Sequence, residues 1–339
     1  MAAPGALVDC GKLPMITVGI PTYNRAYSLA ETIHAVAGVS PPHDDWELIV
    51  VDNNSSDETK EVCLRHLPPN GRYVFEPKPG VSNARNRVFQ EARGELIVFT
   101  DDDTLPDENW LAAYEQAAEK YPDASFFMGP IDWEWRTRVP WWFIEDSDHP
   151  IIFCDKHDKR SEDTPISDDF LVAGPNMAVR REAYLRLGGF RPELGIVGHI
   201  KIGGEEPDLI RRYRAQGLRG YYVAQAQVKH KVYANLITFR VLAKNTFAAG
   251  FSNSLLADLY ETGPRLVGMP RWWMWYLAQG PWLHCAHVIY HALRGQFTPV
   301  VYHLLRVVYW AGKVRYLFQR HEFRRRLEHH DPKINVNRP

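Results

Sequence analysis

Residues 1–130 alternate between two textures, and that alternation leaves few folds open. Apolar, β-branched runs occur at Ile16–Ile20, Glu47–Val51, Tyr73–Phe75, Glu95–Thr100 and Ser125–Met128. Such runs suit strands buried on both faces of a parallel sheet. Stretches with helical spacing of apolar residues separate them: Ala26–Ala37, Asp57–His66, Ser82–Ala92 and Asp107–Lys120. In the first of these, Leu29, Ile33, Val36 and Ala37 share one face. Pro106 before Asp107, and Ser56 before Asp57, mark helix starts. Strands alternating with helices of this length predict βαβ units. In such a sheet, ligands sit beyond the carboxyl ends of the strands.

The remainder is less regular. Residues 131–170 are rich in Trp, Pro and Asp, with Trp133, Trp135, Trp141 and Trp142 crowded together. Phe170–Arg180 reads as a strand or turn around Gly174-Pro175-Asn176, followed by a short helix to Leu187 that Gly188-Gly189 closes. A glycine-rich loop, Gly195–Gly204, leads into a helix at Glu205–Gln216, and a last strand, Gly220–Val228, precedes Lys229-His230. Beyond Ala234 the chain reads as all-helical. Trp272–Leu293 contains no Asp, Glu, Lys or Arg and has the length of a membrane span. Gln279-Gly280-Pro281 and three histidines interrupt it, so an interfacial or re-entrant segment is expected.

With 45% hydrophobic and 24% charged residues, the chain is expected to bury a core without disulfides and is not a disordered protein. Cys10, Cys63, Cys154 and Cys285 form no CxxC pair, which argues against a zinc ribbon or redox motif and fits a reducing cytosol. The N-terminus lacks the basic and apolar regions of a signal peptide, so a cytoplasmic location is expected. The formal net charge is −1, but its distribution is uneven. From Pro264 to Arg326 there are ten Lys or Arg against one acid, Glu322. This asymmetry points to an anionic surface, such as the inner face of a membrane, as a partner for the basic part. Nucleic acid is not among the expected partners.

Four segments carry chemistry. Thr100-Asp101-Asp102-Asp103 directly follows a buried strand, which delivers three carboxylates to its carboxyl end. Adjacent carboxylates raise one another's pKa unless a cation is present. Mg²⁺ typically bridges one or two of them to substrate phosphates; a solvated turn capping the next helix is the plainer alternative. Val51-Asp52-Asn53-Asn54 also ends a strand, where Asp52 and Asn53 suit a base or ribose and equally suit a turn. Pro21-Thr22-Tyr23-Asn24-Arg25 ends the first strand at a helix start, a place for phosphate or base. Gly203-Gly204-Glu205-Glu206-Pro207-Asp208 opens a helix with two carboxylates, which either complement the helix dipole or place a general base over an acceptor hydroxyl.

Taken together these pieces resemble the family 2 glycosyltransferases of the GT-A fold. PTYNR at Pro21–Arg25, VDNNSSD at Val51–Asp57, GVSNARN at Gly80–Asn86, FTDDDTLP at Phe99–Pro106, GPNMAVRR at Gly174–Arg181, GGEEPD at Gly203–Asp208 and His230 occur in the family's order across residues 14–235. The resemblance implies an α/β, Rossmann-like nucleotide-sugar-binding domain with a mainly parallel sheet, spanning residues 1–235. Its nucleotide half would cover 14–130 and its acceptor half 131–235, with a basic, aromatic helical region at 236–339. It implies that Asp103, Asp101 and His230 meet a divalent metal, Mn²⁺ or Mg²⁺. Pro21, Thr22, Tyr23, Arg25, Asp52, Asn54, Arg85, Asp101 and Asp102 would line the donor, with a UDP-sugar favoured. Glu206 stands where the family usually has the acceptor-activating Asp, and Glu205 precedes it. Asn176, Trp141 and Gly204 would face a glycan or lipid-linked acceptor. One base opposite the leaving group implies inversion. A nucleotidyltransferase would share the sheet and acidic site but normally needs a glycine-rich basic loop, which PTYNR lacks. A non-catalytic sugar-binding protein would be favoured by loss of the acidic triplet or of the Glu205–Glu206 pair, and both are present.

Overall fold

The computed structural model describes residues 15–40, 46–143, 160–167, 174–197, 200–261, 263–266 and 268–330. Cys10, Cys154 and the start of the Phe170–Arg180 segment lie outside them. In chain order the elements are β1 (Ile16–Thr22), α1 (Ala26–Ala37), β2 (Trp46–Asp52), α2 (Thr59–His66), β3 (Gly71–Phe75), α3 (Val81–Glu91), β4 (Leu96–Phe99), β5 (Thr104–Pro106), α4 (Trp110–Lys120), β6 (Ala124–Met128), β7 (Ile131–Trp135) and β8 (Thr164–Pro165). They continue with β9 (Met177–Arg180), α5 (Arg181–Leu187), the hairpin β10 (Gly195–Val197) and β11 (Ile200–Ile202), α6 (Glu205–Ala215), β12 (Arg219–Tyr222) and β13 (Val228–Val232). The helices α7 (Phe239–Tyr260), α8 (Arg271–Leu293) and α9 (Phe297–His330) follow, with the two-residue strands β14 (Arg265–Leu266) and β15 (Met269–Pro270) before α8.

The main sheet runs β3-β2-β1-β4-β9-β6-β12-β8. Strands β1 to β4 are mutually parallel, as is the β6–β12 pair. Strand β9 is antiparallel to β4 and β6, so the sheet is mainly, not wholly, parallel. Alternate residues of each central strand feed opposite cores. Leu48 and Val50 join α1 and α4 on one face, while Ile49 and Val51 join α3 and α6 on the other. At Gly19 a Cβ would come within 2.5 Å of Val88, so this glycine lets α3 close on β1.

The expected last strand is two strands. After Tyr222 the chain leaves the main sheet, and β13 pairs instead with β5 and β7. This second sheet sets His230 opposite Thr104, beside the acidic triplet. Strand β7 also shows that the Trp-rich segment is partly ordered by packing. Trp133, Trp135 and Phe143 pack edge to face, with ring centroids 5.3–5.5 Å apart, against Leu242 and Leu305.

Helix α8 runs unbroken through Pro281. Its Gly280 admits the Trp310 ring of α9, which a Cβ would strike. His284, His287 and His291 pack against His303 of α9, with ring centroids 4.6–5.5 Å apart. Among the described residues, no helix is long and apolar enough to cross a membrane. Asp258 of α7 gathers Arg265, Arg320 and the Tyr316 hydroxyl, each at 2.7 Å, and so ties α7 to α9.

Asn176 locks the middle of the fold. Its Oδ1 accepts from Trp110 Nε1 at 2.8 Å and Tyr114 Oη at 2.7 Å, while its Nδ2 donates to the carbonyls of Pro130 at 2.9 Å and Ala226 at 2.7 Å. That uses the whole capacity of the amide. The side chain expected on the acceptor side is therefore committed to the core. Replacing Asn176 with Ala orphans several buried groups at about 1–3 kcal/mol each. We expect a loss of at least about 3 kcal/mol in guanidinium unfolding; a variant that melts like the parent and loses only activity contradicts this role.

Candidate active site

The loops after β1 and β2 build one wall together. Asn24 and Asn54 adopt left-handed φ of 53° and 64°, a conformation that asparagine tolerates. Ser56 N donates to Asn24 Oδ1 at 2.8 Å, and Asn24 N donates to Ser55 Oγ at 2.9 Å. Asp57, expected to open α2, instead accepts from the Ala26 amide at the start of α1 and from the Thr59 amide. This sharing moves the start of α2 to Thr59. Asp52 is buried, accepting from Ser55 N at 2.9 Å through Oδ1 and from the Tyr73 hydroxyl at 2.8 Å through Oδ2. Tyr73 was not singled out in the sequence, because one aromatic in a strand carries no signal. Pro21 and Thr22 are buried, whereas Tyr23 and Asn54 are exposed along this wall. Asn53 turns inward, donating to the Lys78 carbonyl at 2.7 Å and accepting from Gly80 N at 2.6 Å.

The acidic triplet leaves β4 into a tight turn. Thr32 Oγ1 donates to the Asp102 carbonyl at 2.9 Å, and Lys231 N donates to the Asp103 carbonyl at 2.8 Å. Asp103 faces His230 Nε2 at 3.1 Å through Oδ1 and Arg25 Nη1 at 2.9 Å through Oδ2. Burial works against the Asp103 charge, but His230 and Arg25 outweigh it and hold the carboxyl below its usual range. Asp102, whose Oδ1 is 4.0 Å from Arg25 Nε, is pushed up to about 7 by burial against the opposing pull of Arg25.

Asp101 turns the other way, toward Arg85 of α3. Arg85 is 2% exposed, and its guanidinium lies under the Phe190 ring at 5.4 Å. Its Nη2 reaches Asp101 Oδ1 at 3.2 Å, while its Nη1 reaches Glu206 Oε1 at 2.7 Å and Glu205 Oε1 at 3.2 Å. One cation thus bridges the end of β4 and the start of α6. Asn86 clasps the backbone of Phe190, donating to its carbonyl at 2.7 Å and accepting from its amide at 2.8 Å, which fixes the lid over Arg85. Gly174 completes the fit: a Cβ there would collide with Arg85 and Glu206. The GPN motif was legible, but this steric demand was not. Gly204 takes a left-handed φ of 115° where the β10–β11 hairpin hands over to α6, and so aims both glutamates at Arg85. Trp141 is 71% exposed and meets Phe297 of α9 edge-on at 6.5 Å.

Three carboxylates around one guanidinium leave an excess of buried negative charge. Glu205 takes up the imbalance: burial and then Glu206 raise it from 4.5 to about 8, against the pull of Arg85. A raised carboxyl stabilises the fold fully below its unfolded pKa and loses that contribution as pH climbs through the folded value. Replacing Glu205 with Gln should therefore stabilise the protein relative to the parent by an amount that grows from pH 5 to 8 and then levels. Guanidinium midpoints across that range check this, and parallel profiles for the two proteins contradict it.

The profile described as "Glycosyl transferase family 2" matches residues 17–188. A glucosyl-dolichyl phosphate glucuronosyltransferase of Haloferax volcanii is 24% identical over 250 residues, covering 72% of this chain and 78% of its own. The succinoglycan biosynthesis protein ExoM of Rhizobium meliloti is 26% identical over 250 residues, 72% of this chain and 75% of its own. Among solved structures, the mannosyltransferase PcManGT of Pyrobaculum calidifontis, in complex with GDP-Man and Mn²⁺, superposes with a TM-score of 0.59 at 20% identity over 91% of this chain and 88% of its own. Its likeness shows a shared GT-A fold. The family match covers half of the chain, and the chain belongs to glycosyltransferase family 2.

Proposed function

We propose that the chain transfers a sugar from a nucleotide-sugar donor to a hydroxyl of a glycan or lipid-linked acceptor, with inversion at the anomeric carbon. The observation that carries this is Arg85, whose two terminal nitrogens join Asp101 at the end of β4 to Glu206 at the start of α6; we read the first as the donor side and the second as the acceptor side. The nucleobase would lie along the exposed Tyr23, beside the buried Asp52, with a UDP-sugar favoured. The names of two relatives support this class of acceptor, one referring to glucosyl-dolichyl phosphate and one to succinoglycan.

The residues present fit a divalent ion. Asp101 and Asp103 offer hard oxygens at one strand end, and His230 Nε2 lies 3.1 Å from Asp103. Among the described residues, no three His, Cys, Asp or Glu side chains are grouped to hold a metal on their own, so an Mn²⁺ or Mg²⁺ here would depend on the donor's phosphates as well. Asp103, with His230 beside it and Asp101 at the same strand end, would hold the ion, which would supply Lewis-acid neutralisation of the departing diphosphate. Arg25, already on Asp103, adds a second positive charge on that side.

Glu206 acts as general base. Arg85 fixes its Oε1, leaving Oε2 to accept the acceptor proton as the hydroxyl attacks. Glu205 is deeper and holds a proton at neutral pH, so it supports the site rather than taking the acceptor proton. A base on the face opposite the leaving group makes the reaction a single displacement.

Glu206→Gln should leave binding of UDP with Mn²⁺ intact and cut transfer by about 10²–10⁴-fold. Near-normal turnover in that variant contradicts the assignment. Chelation with EDTA, and separately Asp103→Asn, should weaken UDP binding in calorimetry, with added Mn²⁺ restoring the chelated parent but not the variant. Metal-independent binding in the parent contradicts the ion's role.

A further inference from the structure

Helix α8 presents a surface that transfer chemistry does not use. A helix that is apolar all round belongs in a core or at a membrane. Between Arg271 and Arg294 α8 carries no charged residue, yet only one side of it is covered, where Trp273 and Gly280 are buried against the other helices. The opposite side exposes Trp272 (46%), Trp275 (66%), Tyr276 (58%), Trp282 (75%), Ile289 (62%) and Leu293 (84%). Their spacings of three, four and seven residues place them on one stripe along the helix. At 23 residues that stripe is about 35 Å long. Contiguous apolar surface on that scale marks an interaction site.

Charge identifies the occupant. Arg271 and Arg294 flank the stripe, one at each end, and no Asp or Glu occurs from Arg271 to His321. A second copy pressed stripe to stripe would set arginines together with no acid on the helix to pair them. A bilayer with anionic headgroups answers both features, since Trp and Tyr settle at headgroup level and arginine meets lipid phosphate. No described helix is long and apolar enough to cross a membrane, so α8 lies along the surface.

We infer that α8 is a membrane-docking helix that seats the enzyme on an anionic bilayer. Helix α7 links this surface to the active site. Leu256 of α7 stands over Gly204, the residue before α6, where an added Cβ would meet it at 3.3 Å, while Asp258 of the same helix binds α9. Docking is therefore linked to the start of α6 through the packing of α8 on α9 and of α9 on α7. The surface itself stands without the transfer mechanism.

Co-sedimentation of the full chain with vesicles tests the inference. The parent should bind phosphatidylcholine vesicles containing phosphatidylglycerol, bind pure phosphatidylcholine more weakly, and lose binding as salt rises. Trp275→Ser with Trp282→Ser should reduce partitioning at least tenfold, and Arg271→Gln with Arg294→Gln by roughly thirtyfold on the anionic vesicles. Melting curves matching the parent show that these surface variants are folded. No binding by the parent, or binding by both double variants equal to the parent's, overturns the inference. So does light scattering that shows a dimer which the tryptophan variant dissolves. UDP binding with Mn²⁺, measured on the same samples, reports separately on the active site.

Discussion

A single buried guanidinium organises the molecule. Arg85 is desolvated, covered by Phe190, and surrounded by Asp101, Glu205 and Glu206. Removing a charge from water is costly unless it is paired with good geometry. Here the pairing is met only if β4, α3 and α6 all converge. The carboxylates in turn are tolerable only because Arg85 is there, and their crowding together with burial raises Glu205. Fold and site are thus mutually dependent: Gly174 leaves room for the pair, Gly204 aims the glutamates, and Asn86 holds the cover in place.

Much of this was legible in the sequence, for identifiable reasons. The strands β1 to β4 and the helices between them announce themselves by strong periodicity, and the acidic triplet falls at a strand end that periodicity locates. What stayed hidden depends on contacts between distant segments. Met177–Arg180 is too short to declare its direction, so the antiparallel β9 was not foreseeable. Nor was the break between β12 and β13, which arises because β13 finds partners in β5 and β7. Asn176 reads as a polar motif residue suited to an acceptor, yet all its hydrogen-bonding capacity is spent on Trp110, Tyr114 and two carbonyls. Motif membership records that a residue matters and does not separate chemistry from scaffold.

The C-terminal helices illustrate the same limit from the other side. Composition alone singled out Trp272–Leu293 and the surrounding arginines, but several of those cations are internal. Arg265 and Arg320 neutralise Asp258, and Lys313 is buried among Trp273, Tyr309 and Trp310. The basic excess is partly structural. What remains on the outside of α8 is chiefly aromatic, with an arginine at each end.

The central claim is that the Asp101–Asp103 turn, His230 and the Glu205–Glu206 helix start form one site around Arg85. Anomalous diffraction at the manganese edge, from crystals soaked with Mn²⁺ and UDP, addresses it most directly. The account predicts one strong peak within coordination distance of Asp103, with the diphosphate beside it and Glu206 across the cleft. A peak elsewhere, or ordered UDP with no ion at Asp103, contradicts it.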